Sequence, residues 1–230
     1  MGNTDLIIHK PDAPLTMPDQ ELIEAVVAAT DGPQVSDEYL VQLHNQILQD
    51  NRDLIDDGLL YPDRTGLRGE RCLVVDVSDH VVSLVIKRLS QTTAGKGLVV
   101  VSELDGLVFA FGDEIPGMSI RTNEWDIAWA SLRALPQWLG RTTQEMIFYH
   151  DHGSDAVDFL VVEDTSKEHK FIQTIYRPAI EAYQVEVRDG GPDAHYQAMI
   201  ASYDETLATF ETWMATGERL PQVGWALIDM

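Results

Sequence analysis

His150-Asp151-His152, followed by Asp155 and Asp158, is the densest group of metal-type ligands in the chain. Two imidazoles and several carboxylates so close together have the donor types that hold a divalent ion. In a strand, however, His150 and His152 share one face while Asp151 points away. A working metal site also needs convergent ligands held by outer hydrogen bonds. Gly153-Ser154-Asp155 has the composition of a polar turn instead. An enzyme with metal assistance at His150/His152 is therefore an alternative reading, and Glu163, Asp164, Glu168 and His169 read as a second polar loop. Cys72, the single cysteine, sits among apolar residues in RCLVVDV and reads as an inert buried thiol. His195 lies at a turn-to-strand boundary with no nucleophile evident beside it. Arg64, Arg68 and Arg71 form the one cluster of bases, which balances nearby acids or, as the lesser reading, binds an anion.

The motifs that announce a reaction are missing. There is no phosphate loop, dinucleotide fingerprint, HExxH or GxSxG, and no CxxC for a thiolate zinc site. With so many carboxylates present, no acid/base pair can be singled out. No catalytic residue, cofactor or metal ligand is assigned.

The bulk composition is more informative. The 230 residues carry 38 acids against 16 Lys and Arg, a formal net charge of −22. That balance argues against binding nucleic-acid phosphates or an anionic membrane. The acids are spread almost evenly over both halves, as on a folded acidic surface, with no acidic tail. Such a surface serves solubility or a basic partner. No apolar run is long enough to span a bilayer, and the N-terminus lacks a secretory pattern, so a soluble cytoplasmic protein is expected.

The elements that would position these groups follow from local signals. Residues 1–17 read as an extended arm, with a helix from about Pro18 to Thr30. Ser36 reads as an N-cap with Asp37 and Glu38 in the first turn, opening a helix to about Gly58. Arg71 to Val77 reads as a strand, DHVVSLVIKRLSQTT as a helix, and GLVVVSELDGLVFAFG as a hairpin. A helix is predicted from about Glu124, with Trp125, Trp129 and Leu132 on one face and a stop at Gly140. Beyond residue 144 the period falls to two: EMIFYH, VDFLVVED, KFIQTIYR, AYQVEVR and HYQAMI are successive strand candidates. Ser202 and Glu205 form a capping box for a helix closed by Gly217, and Val223 to Ile228 reads as a last strand. The expectation is an α+β fold: N-terminal helices, then a mostly antiparallel sheet with covering helices. Its divisions are residues 1–35 (arm and helix), 36–140 (mixed half) and 141–230 (antiparallel sheet plus helix), with the alternative that the last two form one domain.

The helix–strand–strand order of residues 79–112 resembles the opening of the Imm1 family of bacterial polymorphic-toxin immunity proteins. The closing pattern Thr216, Gly217, Arg219, Pro221, Val223 and Trp225 is similar to the end of that family. The resemblance implies a non-enzymatic acidic protein that inhibits a cognate toxin, and it transfers no catalytic residue. The expected partner is a basic protein, such as a toxin domain, with no nucleic acid or membrane. The candidate contact residues are Asp53, Asp56, Asp57, Asp113 and Glu114, with Trp125 and Trp129 as aromatic anchors. A third reading is an assembly factor that packs through a Trp-rich helix.

Overall fold

In the computed structural model, residues 2–35 and 37–228 are described, apart from the side chain of Pro192. The fold is α+β, with two antiparallel sheets in two compact units that divide between Pro116 and Gly117. The boundary therefore falls at the glycine-flanked loop after the first sheet, earlier than the 140/141 division expected from the sequence.

The first unit holds strands β1 (Asn3–His9), β2 (Gly66–Arg68), β3 (Cys72–Ser78), β4 (Val99–Ser102) and β5 (Leu107–Phe111) in the order β2-β3-β1-β4-β5. The arm expected over residues 1–17 is corrected here. Asn3–His9 is the middle strand, hydrogen-bonded to β3 on one side and β4 on the other. Leu6, Ile7 and Ile8 are 0–5% exposed, so this short apolar run is a strand buried on both faces, which gives no alternation to detect. Helix α1 (Asp19–Ala29) packs on β1, β4 and β5, and α2 (Glu38–Asp50) packs on β2 and β3. Ser36 lies outside the described residues. Asp37 is the N-cap of α2, its Oδ1 accepting the Tyr39 and Leu40 N–H groups at 2.9 and 3.2 Å. A short helix α3 (Arg52–Asp56) follows, and α4 (Val82–Thr93) buries Val82, Val85, Ile86 and Leu89 as its spacing predicts. The hairpin of β4 and β5 also forms as read.

The second unit holds β6 (Met118–Arg121), β7 (Asp126–Ile127), β8 (Leu160–Asp164), β9 (Lys170–Arg177), β10 (Ala182–Asp189), β11 (His195–Ile200) and β12 (Ala226–Leu227), ordered β12-β11-β10-β9-β8-β6-β7. Helices α5 (Leu135–Asp151) and α6 (Tyr203–Thr216) pack on each other, α5 against β8 and β9 and α6 against β10 and β11. Tyr183, Val185 and Val187 form the buried face of β10, as their alternation predicts. Ser202 Oγ accepts the Glu205 N–H at 3.3 Å, and Gly217 closes α6 at φ +72°.

Two predicted elements are wrong in type. The segment from Glu124 is not a helix: Thr122 Oγ1 accepts the Glu124 and Trp125 N–H groups in a tight turn, and Asp126–Ile127 pairs with β6. EMIFYH is not a strand but the last turns of α5, where Pro136 sits in the first turn and Gly140 in the interior. The α5 core face is Leu135, Trp138, Leu139, Thr142 and Met146, a helical period.

Candidate functional site

The five candidate acids come from two segments of the first unit. Asp53, in α3, is exposed but held in a fork by Arg88, with Oδ1–Nη1 2.8 Å and Oδ2–Nη2 2.9 Å. The guanidinium hydrogen bonds hold its carboxyl below the usual range. Asp56 pairs with Arg52 one turn back at 3.1 Å. Asp57 and Asp113 are exposed, with no side-chain hydrogen bond or ion pair among the described residues. Glu114 is half-buried and folds back so that Oε1 accepts the Gly112 N–H at 3.0 Å, and burial pushes its carboxyl up. Thus Asp57 and Asp113 are the two most available of the five, and Asp53 and Glu114 are already engaged within the fold.

Trp125 and Trp129 are 4% and 1% exposed. The first has its ring centroid 6.3 Å from that of Trp138, which is itself fully buried. Both are buried in the core of the second unit, and the helix expected to carry them does not form. The exposed aromatic of this region is Phe148, 55% exposed on α5, with the His152 ring 4.1 Å away.

His150 and His152 lie at the end of α5. His152 Nδ1–H donates to the Phe148 carbonyl at 2.8 Å, and His150 Nδ1 stands 3.4 Å from Asp151. Among the described residues no group of three or more His, Cys, Asp or Glu side chains is arranged to hold a metal ion. Cys72 is buried, its Sγ 3.4 Å from both His9 Nδ1 and the Glu70 carbonyl, and burial pushes its thiol up to about 11.

Two polar constellations escaped the sequence reading. On the outward face of β9–β11, Glu186 accepts from Gln173 at 2.7 Å, Gln184 at 2.8 Å and His195 Nε2–H at 3.2 Å, while Arg177 caps Gln184 at 2.8 Å. Glu186 is the one hydrogen-bond partner of the His195 side chain among the described residues, and the buried Nδ1 of the same ring has none. The second surrounds a cavity of about 530 Å³ lined by Val187, Tyr196, Glu218, Arg219, Pro221 and Trp225 among others. The Arg219 guanidinium lies 3.5 Å from the Tyr196 ring centroid, and Trp225 Nε1–H is tied to the Leu220 carbonyl at 3.0 Å. Stacking of this kind contributes about 0.5–2 kcal/mol. Arg219, Pro221 and Trp225 belong to the closing pattern read from the sequence, and here they form one wall.

No known protein family, no curated protein and no solved structure matches the chain.

Proposed function

We propose that the chain is a non-enzymatic acidic protein that captures a basic protein partner, and that this partner is a toxin domain held inactive in the complex. The observation that carries the reading is the surface left over once the bases are used. Arg52, Arg64, Arg71, Arg88, Arg121 and Arg141 are each engaged by a carboxylate of the chain itself. The surplus of 38 acids over 16 bases is thereby left largely uncompensated. Asp57 and Asp113 in the first unit, and Asp204, Glu205 and Glu211 along α6 in the second, face solvent. A potential of one sign over a surface speeds encounter with an oppositely charged partner, and close contacts then set the lifetime. The resemblance of residues 79–112 and 216–225 to immunity proteins supports the toxin as that partner.

The test is association with the product of the neighbouring gene, followed by stopped flow at several salt concentrations. A basic partner whose on-rate falls about tenfold between low and high salt fits the proposal. A salt-independent rate overturns the electrostatic part. Failure of the chain to protect cells that express that neighbour overturns the toxin part.

A further inference from the structure

Two carboxylates face each other across the centre of the first sheet. In the pairing of β1 with β3, Asp5 lies directly opposite Asp76, which puts their Cβ atoms about 4.5–5.5 Å apart. Glu103 follows the end of β4, one step beyond the Leu6–Ser102 pair. Asn3, Asp5, Arg64, Asp76, Glu103 and Leu104 line one cavity of about 510 Å³.

Asp76 is the unusual member. Its side chain is 9% exposed, and its Oδ1 is buried with no hydrogen-bond partner. A buried carboxylate oxygen without a donor is costly unless a donor arrives. Burial first, then the nearby Asp5, pushes the Asp76 carboxyl up. Among the described residues the cation paired with Asp76 is Arg64, which reaches Oδ2 through Nη1 at a long 3.4 Å and is itself 59% exposed. This is a loose, single-toothed contact, where a well-made guanidinium–carboxylate pair is bidentate and shorter. The acidic lining of the cavity, from Asp5, Asp76 and Glu103, suits a guanidinium or ammonium group. Leu104, 67% exposed at the rim, offers an apolar surface of the sort that an aliphatic stem covers.

We infer that this cavity is a receptor for a guanidinium or ammonium side chain, the Arg or Lys of a basic partner, with Asp76 as its floor, Asp5 and Glu103 as its walls and Arg64 as an internal occupant that the incoming group displaces. The inference rests on the proposed capture of a basic protein and names where that capture is centred.

Blocked arginine (N-acetyl-arginine amide) is the probe, titrated into the full chain and followed by amide chemical shifts. Saturable shifts confined to Asn3, Asp5, Asp76 and residues 103–105 are expected. Asp76→Asn weakens binding about tenfold or more, as loss of a charged hydrogen-bond acceptor does, and Asp5→Asn, at an exposed position of β1, weakens it without altering a buried side chain. Asp57→Asn leaves it unchanged. Arg64→Ala strengthens binding, because it removes the internal competitor. That gain separates a receptor from a plain structural ion pair. Shifts that never saturate, or an Arg64→Ala variant that binds no better than the wild type, overturn the receptor. They leave the basic-partner proposal standing, because that proposal is judged by the salt dependence of the whole complex.

Discussion

Asp76 shows how one residue can work against the fold that contains it. Because its carboxyl is raised in the native state, the native chain holds that proton more tightly than the unfolded chain does. The contribution to stability is present at low pH and is lost as pH rises through the raised value. Asp76→Asn is therefore expected to be more stable than the wild type near neutral pH, and the difference should vanish below about pH 3 in urea titrations. The same variant binds the cationic probe worse, so stability and binding move in opposite directions. Cys72 gives a second expectation. With its thiol pushed up to about 11 and buried, it should resist a thiol reagent at pH 8 in the native chain and react fully in denaturant. Thiol labelling followed over time checks this. The burial of Cys72 was readable from its apolar neighbours. The special position of Asp76 had a fainter signal, a single acid inside the apolar run CLVVDV. What the sequence cannot supply is the register that sets Asp5 against it.

Elements were legible where local chemistry and tertiary packing agree. Strand β9 matches KFIQTIYR, β11 matches HYQAMI, and α6 runs between its serine cap and its glycine stop. They were misread where a short period imitates another. Trp125 and Trp129 have helical spacing, but Thr122 ties the local N–H groups into a turn and both indoles enter the core from irregular backbone. EMIFYH alternates over too few residues to outweigh the longer helical face that begins at Leu135. A tight junction between elements is testable. Gly69 adopts φ +50°, and a Cβ there would fall 2.0 Å from the Ala29 carbonyl oxygen, where the backbone after α1 crosses the turn before β3. Gly69→Ala is expected to cost about 2–3 kcal/mol of stability, read as a lower urea midpoint with an unchanged slope.

At the scale of the whole chain, each unit has its own sheet and its own apolar core, and the acids are spread over both. A net charge of −22 repels itself, so added salt should stabilise the fold. The melting temperature is expected to rise by several degrees between about 10 mM and 0.5 M sodium chloride; a flat or falling curve would show that internal ion pairs such as Arg88–Asp53 dominate instead. The placement of β1 in the middle of its sheet bears on synthesis as well as stability. Leu6 leaves the ribosome about 70 residues ahead of its partner Val75 and about 95 ahead of Ser102. At about 5–20 residues per second, the nascent Leu-Ile-Ile segment waits on the order of 4–14 s before its first neighbour emerges. During that interval it is an apolar strand without a sheet, open to aggregation or to capture by a chaperone.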